Sequence, residues 1–305
     1  MALIEAHGLT KKFNGQTAVN GLDLSVDPGE VYGFLGPNGA GKTTTIKMLL
    51  GLTKPTAGDA AIGGKKVDLT HLEFRRQIGY LPERIAFYPN LTATQTLAFF
   101  CELKRADKAQ IPKLLERVGL AEQAKKPVGS YSKGMRQLLG VAQALIGSPP
   151  LLVFDEPMEG LDPRWRRAVK DVIVEAQGKG STVFFSSHIL SEVEEVAGRV
   201  GILNAGKMVA EDSVSVLRSR LRVKPRLRIR VKGDPKVAGA VAGAVAGVAR
   251  WWDRGDELYV ECDPEAKGRV IAAITGAGTD VLDVRSEDPN LEEVFMELTA
   301  KGGAS

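Results

Sequence analysis

Cysteine is scarce in this chain. Only Cys101 and Cys262 are present, and their separation fits neither a metal knuckle nor a redox pair. A disulfide scaffold is excluded, and a reducing compartment fits. Long apolar runs are missing too. No stretch reaches the length of a membrane-spanning helix, and the nearest candidate, Val237 to Val248, is rich in Ala and Gly and too short. The first residues, MALIEAHGLTKKF, lack the unbroken apolar core of a signal peptide. Any membrane role is therefore expected to come through a partner. Charge of one sign is also lacking. Lys and Arg total 41 against 37 Asp and Glu, a net of +4, too mild to argue for or against a nucleic-acid surface. What remains is an ordinary globular balance. With 305 residues, 44% of them hydrophobic, the chain can build one large or two moderate domains.

The strongest local signal is GPNGAGKTT, Gly36 to Thr44 (Gly36, Pro37, Asn38, Gly39, Ala40, Gly41, Lys42, Thr43, Thr44). Val31 to Leu35 before it reads as a buried strand, and Thr45-Ile-Lys-Met-Leu-Leu after it opens a helix. Strand, glycine-rich turn, Lys, Thr and helix together form the context of a phosphate-binding loop. The glycines let the backbone curl so that its N–H groups converge on phosphate oxygens. The helix start adds free donors and the positive end of a dipole. Lys42 is expected at the β and γ phosphates, and Thr43 at Mg²⁺.

A second signal is LLVFDEP, Leu151 to Pro157. A buried strand should not end in two carboxylates without a reason. Asp155 is suited to hold Mg²⁺, directly or through water. Glu156 is expected to face outward and polarise an attacking water. Thr182 to Phe185 reads as a neighbouring strand ending in Ser186-Ser187-His188, which leaves His188 either sensing a γ-phosphate or serving structure. Glu83 closes the short strand Gln77 to Leu81, facing metal and water or simply charging a loop. Ser132 caps a helix with apolar positions Met135, Leu138, Leu139, Ala142 and Leu145. With Gly134, that helix start is a second candidate anion site. Phe13, in KKFNG, either stacks on a base or belongs to a sheet core; the residues alone leave both open. ATQTLAFFCELKR predicts a helix with Leu97, Phe100 and Leu103 on its apolar face.

GPNGAGKTT, YSKGM, LLVFDEP, GLDP and SSH in this order resemble the nucleotide-binding subunit of an ABC transporter, over roughly residues 3 to 218. The wording of YLPE, YSKGMRQ and SSHILSEVE is most like the exporter-type group (ABC-2-like), which includes ATPases of nitrous oxide reductase maturation. The resemblance implies an α/β P-loop ATPase core with an antiparallel β subdomain and a helical subdomain. It implies ATP and Mg²⁺ as cofactors, and a head-to-tail homodimer with two ATP molecules at its interface. Phe13 matches the adenine-stacking aromatic, and Ser132, Lys133 and Gly134 the signature that contacts the γ-phosphate on the opposite subunit. Asp155 matches the Mg²⁺ aspartate, Glu156 the general base, Asp162 the residue linking the two sites, and His188 the switch histidine. Glu83 stands where the family usually has Gln, near metal and attacking water. Tyr131, Lys133, Met135 and Met158 replace the usual Leu, Gly, Gln and Thr; none of these changes removes the phosphate lysine or a catalytic carboxylate. The implied partner is an integral membrane permease and not a nucleic acid, which places the chain in the cytoplasm, peripheral on the inner face of the cell membrane. One phosphate loop and no long heptad run disfavour a soluble translation or repair ATPase, and the intact Glu156 disfavours a scaffold without turnover.

The expected domains are 1–220, with a helical subdomain near 85–147, and 221–305. The tail reads as strand Lys224–Val231, helix Asp234–Val248, a hairpin from Ala249–Trp252 and Glu257–Glu261, helix Glu265–Ile274, strand Thr279–Val284 and helix Asn290–Thr299. That order, β-α-β-β-α-β, resembles a small split βαβ, ferredoxin-like domain.

Overall fold

The computed structural model describes residues 2–68, 73–220 and 226–287. The chain divides between Val214 and Ser215 into two compact units. In the first, the elements in order are β1 (Ile4–Phe13), β2 (Gln16–Val26), β3 (Val31–Leu35), α1 (Lys42–Leu49), β4 (Ala57–Ile62), β5 (Lys65–Lys66) and β6 (Ile78–Leu81). Then come α2 (Ala93–Lys104), α3 (Ile111–Arg117), α4 (Lys133–Ala144), β7 (Leu151–Phe154) and α5 (Pro163–Gly178). The unit closes with β8 (Thr182–Ser187), α6 (Leu190–Glu194), β9 (Arg199–Asn204) and β10 (Lys207–Ser213), after which α7 (Val214–Arg220) follows.

Six strands form a mostly parallel sheet in the order β10-β9-β3-β8-β7-β6. The sequence explains its centre. VYGFL, LLVF and TVFFSS are buried at every position, as strands covered on both faces must be. A second, antiparallel sheet runs β2-β1-β4-β5. Helix α1 supplies Ile46, Met48 and Leu49 to one core shared with Leu9 and Leu22 of the second sheet and Phe34 and Phe184 of the first. This burial fixes the helix that the phosphate loop opens. Two glycines mark where elements touch. A Cβ on Gly33 of β3 would fall 2.2 Å from Val193 Cγ1 of α6. One on Gly79 of β6 would fall 2.1 Å from the Ala144 carbonyl oxygen.

The helices between β6 and β7 start where capping residues stand. Thr92 and Gln95 form a capping box on α2, and Ser132 accepts from Met135 N–H on α4. Asp162 caps α5, with Pro163 just inside. Leu97 is buried as the periodicity predicts, but Leu103 is 60% exposed. The buried stripe of α2 is instead Ala93, Thr96, Leu97 and Cys101, turned from the predicted one because the small residues meet the core and the aromatic residues line its edge.

The second unit comprises β11 (Arg226–Val231), α8 (Pro235–Gly243), β12 (Val248–Arg254), β13 (Glu257–Cys262), α9 (Lys267–Gly276) and β14 (Val281–Glu287). Its sheet order β12-β13-β11-β14 is antiparallel throughout, the arrangement of a split βαβ domain. Helix α8 stops at Gly243, short of the predicted Val248. Gly239 and Gly243 face the indole of Trp251, which leaves no room for a Cβ. The predicted helix Asn290–Thr299 lies outside the described residues.

Candidate active site

Strands β3, β6, β7 and β8 end side by side, and their carboxyl ends carry the polar residues, as in open α/β sheets generally. The loop after β3 wraps the N-terminus of α1. Gly39 and Gly41 take φ of 80° and 108°, conformations that exclude side chains at little cost only for glycine. A cavity of about 260 Å³ opens here, lined among others by Asn38, Gly39, Gly41, Lys42, Thr43, Thr44, Glu83, Glu156 and Glu159.

Lys42 is almost fully buried. Its ammonium donates to the carbonyls of Gly36 at 2.6 Å and Pro37 at 3.2 Å. It also lies 3.1 Å from Glu156 Oε1. That contact is an ion pair without good hydrogen-bond geometry, since Oε1 is a buried atom with no hydrogen-bond partner. The other oxygen, Oε2, meets His188 Nδ1 at 2.9 Å, the imidazole donating. Glu156 is 7% exposed. The expectation that it faces outward is therefore corrected: it is held inward between two cationic or donating partners. It sits at φ 50°, a left-handed conformation uncommon for a side chain larger than glycine.

Asp155 is completely buried. Its Oδ1 accepts from Ser186 Oγ at 2.7 Å, and its buried Oδ2, with the Thr43 hydroxyl close to the carboxyl, accepts no well-formed hydrogen bond. Burial pushes its carboxyl above the usual range; the Ser186 and Thr43 hydroxyls offset part of this, and Glu83 and Glu156 add to it. Ser186 also accepts from the Glu156 N–H at 2.9 Å. Glu83 is exposed, and the Thr43 hydroxyl points to its Oε2 at 3.4 Å. Burial and the charges of Asp155 and Glu83 push the nearby Tyr80 phenol up.

The donor set fits a divalent cation of the magnesium kind. A buried carboxylate oxygen without a well-formed hydrogen bond, a threonine hydroxyl and a second carboxylate lie together. Among the described residues no three His, Cys, Asp or Glu side chains form a cage. Magnesium is commonly held this way, by one or two carboxylates plus substrate phosphates and water.

The structure thus gathers Gly36 to Thr44, Glu83, Asp155, Glu156 and His188. Phe13, Ser132, Lys133, Gly134 and Asp162 do not line the cavity. Phe13 sits at the tip of the β1–β2 hairpin, 48% exposed, with Lys11 Nζ 4.8 Å from its ring centre; it is not a core residue. Ser132 to Gly134 open α4, and Gln137, one turn on, reaches toward the site, donating to the Pro157 carbonyl at 3.2 Å. Sequence reasoning passed over Ser186, Gln137 and Glu159. The polar end of TVFFSS was a usable signal for Ser186; nothing marked Glu159.

A family model described as ABC transporter matches residues 19–159. The bacitracin transport ATP-binding protein of Bacillus licheniformis is 37% identical, covering 98% of each chain. The daunorubicin resistance ATP-binding protein of Streptomyces coeruleorubidus is 36% identical, covering 97% of this chain and 95% of its own. A solved ATP-binding subunit of an ABC transporter superposes with a TM-score of 0.67 at 31% identity, covering 72% of this chain and 93% of that one.

The buried, half-satisfied Asp155 generates a prediction. A folded-state pKa above the unfolded one means that the ionised form opposes folding at neutral pH. That opposition fades as pH falls through the folded-state value. Asp155→Asn keeps the Ser186 hydrogen bond and removes the charge. It should raise the melting temperature of nucleotide-free protein by about 2–4 °C, equivalent to about 1 kcal/mol. Nucleotide affinity, measured by titration calorimetry, should lose its dependence on Mg²⁺. A lower melting temperature would show that the charge is already compensated.

Proposed function

The chain belongs to the ABC transporter family of ATP-binding proteins, and we propose that it hydrolyses ATP as a head-to-tail homodimer that drives export through a separate membrane permease. The observation that carries this reading is the juxtaposition of Lys42, Thr43, Asp155, Glu156 and His188 at the ends of adjacent parallel strands. Phosphates entering the loop meet the N–H groups of α1 and the ammonium of Lys42. Lys42 exchanges its carbonyl and Glu156 contacts for phosphate oxygens. Glu156 is then free of its lysine and takes the proton of an attacking water, while His188 holds its other oxygen in place. Thr43, Asp155 and Glu83 would hold Mg²⁺, which would supply positive charge to the phosphates. Phe13, exposed at its hairpin tip, suits adenine stacking.

Ser132, Lys133, Gly134 and Asp162 belong to the reading as residues offered to a second copy. The capped start of α4 has no phosphate loop of its own and does not line the cavity at Lys42. Glu156→Gln should lower turnover by about 10²–10⁴-fold and leave ATP affinity nearly unchanged. Wild-type turnover per chain should fall on dilution, because two chains complete each site. Hydrolysis by the variant near the wild-type rate would overturn the role of Glu156; constant turnover in a demonstrated monomer would overturn the shared site.

Among the described residues no helix is long and apolar enough to cross a membrane. The proposed location is the cytoplasmic face, bound to the permease. Tyr88, Phe99 and Leu103 are 63%, 40% and 60% exposed. The rings of Tyr88 and Phe99 meet edge to face at 6.3 Å, and Phe99 meets Phe100 at 5.4 Å. A clustered exposed apolar patch of this kind marks a contact surface, and it follows directly on the loop that carries Glu83. The two relatives reported above are named for bacitracin and daunorubicin, which are chemically unlike, so substrate choice is assigned to the permease. Tyr88→Ala with Phe99→Ala should weaken copurification of the permease, costing about 2 kcal/mol or more of complex stability. Melting temperature and basal hydrolysis should hold. Unaltered assembly would remove the patch from the interface.

A further inference from the structure

Glu192 is a buried carboxylate that the hydrolytic site does not use. It is 5% exposed and stands on α6. Its Oε2 accepts from Ser187 Oγ at 2.8 Å. Its Oε1 is buried without a hydrogen-bond partner and faces Arg166 of α5, whose Nε is 3.8 Å away. Both ends of this arrangement lead to functional backbone. The Ser187 carbonyl accepts from the N–H of Gly36, the first glycine of the phosphate loop, at 3.2 Å. The next residue is His188. On the other side, Arg166 Nε donates to the Leu161 carbonyl at 2.9 Å, and the next residue is Asp162, the cap of α5. Helix α6 is seated firmly, since Val193 leaves no space for a Cβ on Gly33.

A buried carboxylate is costly unless it is bound on all sides. This one is bound firmly on one oxygen and loosely on the other. A fully structural carboxylate would close both.

We propose that Glu192 is a positioning residue that couples the strand end bearing His188 to the loop bearing Asp162. Ser187, Glu192 and Arg166 form one bridge. Movement of the Gly160–Asp162 loop, which the shared-site reading places at the second copy, changes the hold on Ser187. Ser187 in turn sets His188 and the first N–H of the phosphate loop. The proposal rests on the ATPase reading for its meaning, but not for its structural core.

Two measurements test it. In nucleotide-free protein, hydrogen–deuterium exchange follows the amides of 160–162 and 188–189. Ser187→Ala removes a hydroxyl that makes no hydrogen bond to the 160–162 loop among the described residues. It should nevertheless speed exchange there by about threefold or more. Arg166→Met, a change at a half-exposed side chain, should speed exchange at 188–189 by a similar factor, with the melting temperature confirming that the variant is folded. Arg167→Met, an exposed neighbour outside the bridge, should do neither. Effects confined to the substituted side would overturn the bridge.

In the hydrolysis assay, Glu192→Gln and Arg166→Met should each lower kcat about tenfold with KM for ATP unchanged. The double variant should be no worse than Glu192→Gln alone. Multiplying losses, or none, would overturn the coupling. Absence of turnover in the wild type would instead contradict the ATPase reading, and the exchange experiment would still decide the bridge.

Discussion

Everything at the site is arranged around one buried acid, Glu156, held between Lys42 and His188. A carboxylate with so little exposure needs compensation. Lys42 provides the charge and His188 the hydrogen bond. The lysine cannot relax into solvent, because the same burial holds it against the carbonyls of Gly36 and Pro37. Lys42 and Glu156 therefore neutralise each other in the nucleotide-free protein. On the proposed reading, phosphate binding supplies the lysine with a better partner and releases Glu156 when there is something to attack. The left-handed backbone of Glu156, a conformation worth roughly 1–3 kcal/mol of strain, is retained where the fold can over-determine it.

Hydroxyls connect this pair to the rest. Ser186 accepts the Glu156 N–H and donates to Asp155, so a single side chain ties the two neighbouring carboxylates together. Ser187 donates to Glu192 and offers its carbonyl to Gly36. Serine is small enough to sit in a strand buried on both faces and polar enough to satisfy two partners. The sheet is thus apolar along its length and hydrogen-bonded at one edge, which is what lets it hold charges at the ends of its strands.

How legible this was in the sequence follows from the range of each interaction. The phosphate loop and the Asp-Glu strand end are local patterns, and the structure brings them together with Glu83 and His188. The second unit was legible from element order, since β-α-β-β-α-β leaves few ways to close an antiparallel sheet; Gly239 and Gly243 gained their reason only when Trp251 was seen above them. The polar end of TVFFSS signals Ser186, but its partners depend on the register that pairs Phe154 with Phe185, which places Ser186 beside Asp155. Glu192 carries no local signal, since its partners Ser187 and Arg166 are set by the packing of α6 against β8 and α5. Phe13 was ambiguous because a hairpin tip carries either kind of aromatic, and Leu103 misled because periodicity gives a stripe without saying which side of it meets the core. The inward turn of Glu156 was unreadable: nothing local reveals that Lys42, more than a hundred positions earlier, folds back to meet it.

The central claim is that triphosphate takes Lys42 away from Glu156. The most direct measurement is a crystal structure of the wild-type protein with a non-hydrolysable ATP analogue and Mg²⁺. The account predicts Lys42 Nζ on phosphate oxygens, no longer within 3.1 Å of Glu156 Oε1. It also predicts Asp155 Oδ2 turned to the metal or its waters, and Ser132 of a second copy at the terminal phosphate. A bound triphosphate with the Lys42–Glu156 pair still intact would contradict it.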